Sequence, residues 1–286
     1  MVGFLLALPP MVVLFFLILL PAFEAVKFSL GLVPEDNVAY ASGLNVIRSN
    51  GPTLEVFEKL FASPFFQQNV RLTFFVSIVS VLILLVVAYV LALYARFGKG
   101  RLPSIIRTLY LVPMFIPTII ASYALIVFFG DNGLLEALLS RFGVPYQTII
   151  RQDWGIIMGQ VWASIPFAVL MLSSGLDAIS DDHIEAAKDC GASFATILWR
   201  ILIPLNIVPA LIVATFTFIG VFGSFTVPYM LGPTVPQMLG VSMQVNFTAF
   251  RQPQTAVAIA VFSFAVCAVA GYIYVVATTR QNRSQQ

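Results

Sequence analysis

Long apolar runs alternate with short polar segments along the whole chain. The runs are bounded by charged residues and by Pro or Gly, and they cover residues 4–23, 72–94, 108–129, 155–176, 205–227 and 254–278. Each run has about 20 residues or more, the length that an α-helix needs to cross the hydrocarbon core of a bilayer. Lipid cannot satisfy free backbone polar groups, and the runs lack the alternation of β-barrel strands. The pattern therefore predicts an all-α polytopic membrane protein with six transmembrane helices.

The first run, residues 4–23, has an alternative interpretation as a cleaved secretory signal peptide. It lacks a basic segment before the apolar region and a clear small-residue cleavage site, so we expect it to be retained as a span. No internal repeat, low-complexity segment or long linker interrupts the chain. We therefore expect residues 1–286 to form a single transmembrane domain.

The composition supports the membrane class and excludes several functions. The chain is 59% hydrophobic and 10% charged, with a mean hydropathy of +0.95. A net charge of +2 without any Lys/Arg-rich run argues against nucleic acid as a partner. Cys190 lies in a polar segment and Cys267 in an apolar run, so neither a disulfide nor a shared metal site is expected. With His183 as the single histidine, placed in a loop, we predict no catalytic residue and no metal site.

Charge in the loops predicts the orientation of the spans. Arg96, Lys99, Arg101 and Arg107 make the loop between spans two and three the densest positive segment of the chain. Short loops rich in Lys and Arg remain in the cytoplasm. With six spans, both termini and the loop at residues 177–204 then lie in the cytoplasm. The longer segments at residues 24–70 and 228–252 lie outside.

The cytoplasmic loop 177–204 contains the stretch "EAAKDCGASFATILWRILIP", which is predicted to form two short helices. Asp182 and Glu185 have the spacing of a capping box, so a helix is expected to begin there. It should run to about Cys190 and end at Gly191, because glycine readily adopts the left-handed conformation that terminates helices. Ser193 can cap a second helix, from Phe194 to about Leu202, that closes before Pro204.

Two interpretations of this stretch stay open from the residues alone. The first is a solvated loop whose charges keep it in water. The second is a docking surface, since one carboxylate at Glu185 stands beside small side chains that let another protein approach closely: Ala186, Ala187, Gly191 and Ala192.

The stretch also resembles the membrane permease subunits of binding-protein-dependent ABC importers. Their hallmark is E-A-A, three residues, G, nine residues and I-x-L-P, and this chain has Glu185-Ala186-Ala187, Gly191 and Ile201-Leu202-Ile203-Pro204 at the matching spacing. Ile203 stands where Leu is usual, a swap of similar volume. The segments "YVLALYARFGKGRLPSIIRTLYLVPMFIPTIIASY" and "FGSFTVPYMLGP" are similar to the family as well, the latter to its spermidine/putrescine-type branch, which also includes permeases for other small solutes.

The resemblance implies a mechanism and a set of partners. The polar stretch would form a coupling helix pair that inserts into a cytoplasmic ABC ATPase dimer, with Glu185 as the polar contact and Ala186, Ala187, Gly191 and Ala192 allowing close packing. Ile201 and Pro204 would set the connection into span five. This chain has no phosphate-binding loop, so ATP and Mg²⁺ would be bound by the ATPase and no cofactor by this chain.

Further partners follow from the same resemblance. A second six-span permease would complete the pathway in the lipid of a bacterial inner membrane, and an extracytoplasmic solute-binding protein would deliver the solute, with a polyamine as the first candidate.

Candidate pathway residues come from the periodicity of span five. Thr215 begins a series of residues at three- and four-residue spacing, which predicts that they share one helix face. We expect this face to line or gate the pathway, and its other members are Phe218, Phe222, Phe225 and Tyr229. Helix packing is the alternative explanation for such an aromatic stripe. Tyr123, Gln160 and Trp162 are further candidates, because desolvation makes polar or amphipathic groups within a span costly and so indicates a function. The alternative for the two aromatic residues, Tyr123 and Trp162, is a role as interfacial anchors.

The acidic residues bear on the solute and on a competing function. By the predicted boundaries, every Asp and Glu lies in a loop or at its edge. A polycation would then rely on aromatic rings, carbonyl oxygens or carboxylates of a partner subunit. A stand-alone channel or secondary transporter, the alternative function, would be expected to show ionisable residues in mid-membrane or a filter loop.

Overall fold

A computed structural model describes residues 2–33, 38 and 42–284 of the chain. Within these residues every regular element is a helix, and no strand occurs. Five helices are long and apolar enough to cross a membrane, and a sixth span results if the bent pair Phe194–Leu205 and Ile207–Phe222 is counted as one. The predicted all-α membrane class is confirmed, with five or six candidate spans.

The helices follow one another with few long connections. The N-terminal part of the chain contains α1 (Val2–Leu14), a π-helical turn (Phe15–Leu19), α2 (Leu20–Ser29), α3 (Glu55–Ala62) and α4 (Pro64–Phe97). The middle part contains α5 (Leu102–Leu109), a 3-10 turn (Val112–Phe115), α6 (Thr118–Phe129), α7 (Leu134–Ser140) and α8 (Asp153–Asp177). The polar stretch and the C-terminal part contain α9 (Asp181–Asp189), α10 (Phe194–Ile197), a second π-helical turn (Leu198–Leu202), α11 (Ile203–Leu205), α12 (Ile207–Phe222), α13 (Thr226–Leu231), α14 (Leu239–Thr248) and α15 (Pro253–Ser284).

The helix of the first predicted span, residues 4–23, continues past its predicted end. Helical conformation runs from Val2 to Ser29, and the candidate span extends to Ser29. Glu24, expected in a loop or at its edge, therefore lies within α2. The Nζ atom of Lys27 is 2.9 Å from Glu24 Oε1 at i,i+3 spacing, and this pairing compensates both charges within the helix.

The third predicted span, residues 108–129, is not one continuous helix. The chain breaks between α5 and α6, and the candidate span is instead Thr118–Ser140. Ile116 is extended, with φ −104° and ψ 119°, because the ring of Pro117 disfavours the helical conformation of the residue before it. Pro113 sits in the 3-10 turn between the two helices.

The fifth predicted span, residues 205–227, is interrupted at both ends. It bends by 66° at Asn206, and α12 ends at Phe222. Pro228 explains the second break, because proline is tolerated in the first turn of a new helix but not inside a continuous one. Residues 226–231 accordingly begin a separate helix, α13.

The chain folds as two compact units, and the prediction of a single domain over residues 1–286 stays a prediction. One unit comprises Met1–Arg71 and Met238–Val266. In this unit the side chain of Gln254 is 2% exposed. Its Nε2 donates to the carbonyl oxygens of Phe28 and Ile47, both at 3.0 Å, and its Oε1 accepts from the Ile47 amide at 2.7 Å. The start of α15 is thereby fixed to the segment that follows α2.

The other unit comprises Leu72–Gln237 and Cys267–Gln286, and it contains the polar stretch. Its core contains the small residues Ala88 and Ala92, one turn apart on α4, together with Leu172 and Leu176 on α8. Buried residues of the polar stretch complete the same core: Ile184, Ile197 and Leu202. The two short helices are therefore packed onto the apolar helices rather than held away from them.

A close approach between α8 and α12 lies at the bend of the fifth span. Asn206 is fully buried, and its Nδ2 donates to the Leu172 carbonyl at 3.2 Å. A Cβ atom added at Gly175 would fall on Asn206 Oδ1 and on the ring of Pro209. Gly175 is thus required for its small size.

We predict that Gly175→Ala destabilises the protein by about 1–3 kcal/mol, because the added methyl group overpacks the contact with Asn206 and Pro209. The measurement is thermal unfolding of the purified chain in detergent, followed by intrinsic fluorescence. Gly271→Ala is the matched control, since a Cβ at that helical position meets nothing within 4 Å. Equal melting temperatures for Gly175→Ala and wild type would contradict the prediction.

Candidate functional site

The first helix of the polar stretch, α9, begins at a cap that the sequence analysis missed. The cap is Ser180, whose Oγ accepts from the Asp182 amide at 3.2 Å. The predicted capping box of Asp182 and Glu185 was wrong, because Asp182 already lies in the first turn. Asp181 and Asp182 there interact favourably with the positive end of the helix dipole.

The end of α9 follows the prediction closely. Gly191 has φ +79°, in the left-handed region that glycine adopts without steric cost. Its amide donates to the Lys188 carbonyl at 2.8 Å, and the Ala192 amide donates to the Ala187 carbonyl at 2.9 Å. These two bonds define a Schellman motif, which satisfies carbonyl groups that the helix end leaves free. The turn between the two helices is thus fixed by its backbone.

The second helix starts as predicted but continues past its expected end. Ser193 Oγ accepts from the Thr196 amide at 3.3 Å and caps α10. The expectation that this helix closes before Pro204 was wrong, since helical conformation continues to Leu205. The preceding turn is π-helical, with the Ile203 amide donating to the Leu198 carbonyl. This wider turn gives room for the proline ring, which in an α-helix clashes with the carbonyl four residues earlier.

The helix pair has one buried face and one exposed face. Ile184 and Ile197 are 4% and 2% exposed and belong to the core. The members of the E-A-A…G motif divide between the two faces: Glu185, Ala186 and Gly191 are exposed, whereas Ala187 and Ala192 are half-buried and pack against the core. At the far end of the motif, Ile201 is half-buried and Pro204 is exposed. Only some residues of the sequence motif are therefore open to contact by another protein.

The predicted aromatic stripe of span five is divided between two helices. Phe218 and Phe222 are on α12, whereas Phe225 precedes α13 and Tyr229 lies within it. The expectation that they share one helix face was wrong, because the chain breaks at Gly223. Phe222 is fully buried, and its ring centroid is 5.1 Å from that of Phe74.

The remaining two rings of the stripe form an accessible pair. The centroids of Phe225 and Tyr229 are 5.1 Å apart in a stacked arrangement. Their exposed fractions are 38% and 60%. Of the four aromatic candidates in span five, these two are exposed, whereas Phe218 is half-buried and Phe222 is buried.

The other pathway candidates lie on helices that pack together near Gly159. A Cβ atom added at Gly159 of α8 would be 2.7 Å from Leu231 Cδ1 and 3.8 Å from Leu125 Cδ1, so α6, α8 and α13 meet there. Gln160, the next residue, is 6% exposed, and its Nε2 has no hydrogen-bond partner among the described residues. Tyr123 on α6 is 59% exposed.

Trp162 lines an apolar cavity rather than a polar one. The cavity has a volume of about 390 Å³ and lies beside α4, α5 and α8. Its walls are Leu91, Ile106, Leu109, Tyr110, Val112, Pro113, Trp162 and Ile165. The indole ring of Trp162 therefore has apolar neighbours on this side.

Arg96, which in the sequence only indicates the orientation of the spans, contacts the segment that leads into the polar stretch. Its guanidinium donates to the carbonyl oxygens of Leu176 and Ile179 and to the carboxylate of Asp181. These partners lie 80 or more positions away in the sequence. Nothing local to Arg96 indicates them.

Comparison with known proteins agrees with this arrangement. The sequence model of the family described as "Binding-protein-dependent transport system inner membrane component" matches residues 85–283. The spermidine/putrescine transport system permease protein PotB of Haemophilus influenzae is 24% identical over 234 residues, which cover 81% of each chain. The molybdenum transport system permease protein ModB of Mycobacterium tuberculosis is 26% identical over 171 residues, 59% of this chain and 64% of ModB.

Solved structures show the same fold. A bacterial ABC transporter that imports the acidic polysaccharide alginate has a chain with a TM-score of 0.79 and 16% identity, covering all of this chain and 96% of that one. The MetNI methionine ABC transporter, in an inward-facing conformation, has a chain with a TM-score of 0.54 and 19% identity, covering 74% of this chain and 97% of that one. At these identities the likeness concerns the fold alone.

The family match extends over most of the chain and includes the capped helix pair and every helix from α5 to α14. The chain therefore belongs to the binding-protein-dependent transport system inner membrane components, the permease components of ABC importers.

Proposed function

We propose that this chain forms half of the solute pathway of an ATP-driven importer and that α9 and α10 are its coupling helices. In this proposal the exposed face of the pair docks on a cytoplasmic ABC ATPase dimer, which binds ATP and Mg²⁺. A second six-span permease completes the pathway, and an extracytoplasmic binding protein delivers the solute. Both termini of this chain lie in the cytoplasm, and the six candidate spans include the bent pair as one.

The observation that carries the proposal is the two-faced packing of the helix pair. The buried face, with Ile184 and Ile197, is continuous with the core of α4 and α8. The opposite face presents Glu185, Ala186 and Gly191, and no element of the described part of the chain covers it. A force applied to the exposed face therefore reaches the membrane-spanning helices through close-packed contacts, which transmit displacement because such interiors are nearly incompressible.

We further propose that the solute is a small organic cation of the polyamine type. The relative PotB is named for spermidine and putrescine transport, whereas ModB is named for molybdenum transport, so relatives of similar identity carry different solutes. The stacked pair of Phe225 and Tyr229 favours the cation. Aromatic faces attract ammonium groups, and the exposed fractions of the two rings leave them accessible.

Uptake into membrane vesicles tests the function directly. Vesicles that contain the co-expressed ATPase, both permeases and the binding protein should accumulate radiolabelled putrescine only when ATP is supplied. Uptake without ATP by the chain alone would support a channel or secondary transporter instead. Uptake of molybdate in place of putrescine would retain the importer and reject the polyamine.

We predict that Gly191→Asn abolishes ATP-dependent uptake while the protein still folds. Asparagine tolerates the left-handed conformation, so this variant adds bulk to the exposed face without the penalty of about 1–2 kcal/mol that other side chains incur there. A Cβ at Gly191 meets nothing within 4 Å, so the chain itself accepts the change. The measurements are vesicle uptake and co-purification of the ATPase.

Glu185→Gln probes the same exposed face, because it removes the charge of the side chain without changing its shape. We expect this variant to weaken co-purification of the ATPase. Asp131→Asn is the control, because Asp131 is an exposed carboxylate outside the polar stretch. Normal uptake by both Gly191→Asn and Glu185→Gln would refute the docking role of this face.

We predict that Tyr229→Ala lowers putrescine uptake by roughly 2- to 30-fold, the range that corresponds to loss of one cation–π contact. The exposed ring makes a folding defect a poor explanation for such a loss. Tyr272→Ala is the control, since Tyr272 is 70% exposed on α15. The two variants should be compared for uptake at equal membrane content, and equal losses in both would contradict a pathway role for Tyr229.

A further inference from the structure

One arginine ties the first coupling helix to two membrane-spanning helices. Arg96 lies in the last turn of α4, and its side chain is 11% exposed. Its Nη1 donates to the Leu176 carbonyl, and its Nη2 donates to the Ile179 carbonyl and to Asp181 Oδ1, both at 2.8 Å. The guanidinium thus contacts three successive parts of the chain.

Each of the three acceptors belongs to a different segment. Leu176 is in the last turn of α8, where its carbonyl also accepts from the Ile179 amide at 3.0 Å and the helix end carries the negative end of the dipole. Ile179 lies in the connection between α8 and α9, and Asp181 is the first residue of α9. A planar guanidinium with several fixed donors can bind all three at once, whereas an ammonium group cannot match this geometry.

A second contact joins α4 to the other coupling helix. The ring of Phe97, the last residue of α4, is edge-to-face with the ring of Phe194, the first residue of α10, at a centroid distance of 5.9 Å. The Arg96 guanidinium lies 5.2 Å from the centroid of Phe97. The end of α4 therefore contacts the beginning of both coupling helices.

The three hydrogen bonds of Arg96 differ in how strongly they stabilise the connection. Asp181 is 79% exposed, so its ion pair with Arg96 is screened by solvent and contributes little. The two carbonyl bonds are partly buried, and bonds to a charged donor are the stronger kind. The connection depends on the guanidinium more than on its carboxylate partner.

We propose that Arg96 is a positioning residue for coupling: it fixes the connection that leads into α9 to the ends of α4 and α8, so that displacement of the docked helix pair moves both spans together. This inference rests on the proposed function of α9 and α10 as coupling helices. It assigns a role in energy transmission to a residue outside the E-A-A…G motif. Loss of Arg96 would leave the docking surface and the burial of Ile184 intact but loosen the start of α9 relative to the spans.

The test compares Arg96→Met, Arg96→Lys and Asp181→Asn with the control Arg101→Met, which removes an exposed arginine of the same loop. In the purified transporter complex, the ratio of solute transported to ATP hydrolysed should fall about 3- to 30-fold in Arg96→Met. This range is typical of mutations that alter the coupling between two sites. Arg96→Lys should be intermediate, because the charge remains and the fork geometry is lost. Asp181→Asn and Arg101→Met should stay within about threefold of wild type, as expected for exposed charges.

A distance measurement separates this role from general damage, and it needs no ATPase. Cys190 is an exposed free thiol at the end of α9, and Lys99 is exposed just beyond α4. Spin labels at Cys190 and at Lys99→Cys, in a Cys267→Ser background, report the position of α9 relative to α4 in the full-length chain in nanodiscs. The distribution should be narrow with Arg96 and broader or shifted with Arg96→Met.

Each outcome decides the proposal. A broadened distance together with a lower transport-to-hydrolysis ratio, in a complex that still assembles, supports it. An unchanged distance in Arg96→Met overturns it, and so does a broadened distance with an unchanged ratio, which would make Arg96 a structural cap only. Failure of the coupling-helix proposal itself is recognised separately, because Gly191→Asn and Glu185→Gln would then transport normally.

Discussion

The burial of Ile184 and Ile197 in one core with residues of α4 and α8 is the constraint on which the organisation of this unit depends. The polar helix pair carries charges that favour water, and the spans carry surfaces that favour lipid. Ala88 and Ala92 of α4 belong to the same buried cluster as the two isoleucines and Leu202, together with Leu172 and Leu176 of α8. This burial keeps a water-compatible element in continuous contact with the membrane-spanning helices. The same arrangement leaves the opposite face of the pair free for a partner.

Helix interruptions place the functional groups in the remainder of this unit. The bend at Asn206 separates the polar stretch from α12, and the break at Gly223 separates the buried ring of Phe222 from the accessible pair on and before α13. Around the bend at Asn206, neighbouring groups accept a hydrogen bond from the buried amide and make room for a proline ring. The Leu172 carbonyl accepts from Asn206, and the π-helical turn accommodates Pro204. Such breaks are tolerated at membrane depth where neighbouring helices satisfy the freed groups.

Much of this architecture was predictable from sequence because its signals are local. Apolar length predicted the helical membrane class, and the positions of Gly191 and Ser193 predicted the turn of the helix pair, because backbone conformation at caps depends on one or two residues. The boundaries of spans three and five were wrong because proline and a π-helical turn act through geometry that periodicity does not contain. The contacts of Arg96 were beyond sequence reasoning, since its acceptors are backbone carbonyls of a distant segment. Every residue has a backbone carbonyl, so the sequence does not indicate which carbonyl accepts from Arg96.

Cross-linking from Cys190 is the sharpest test of our proposal that the exposed face of α9 and α10 docks on a cytoplasmic ATPase. This thiol is exposed at the end of α9, one residue from Gly191, and it is native to the chain. A short thiol-reactive photo-cross-linker attached there, in membranes that contain the assembled transporter, should capture the ATP-binding subunit and yield cross-linked peptides identifiable by mass spectrometry. Cross-links that form with lipid or with this chain alone, in a complex that still transports with ATP, would contradict the account.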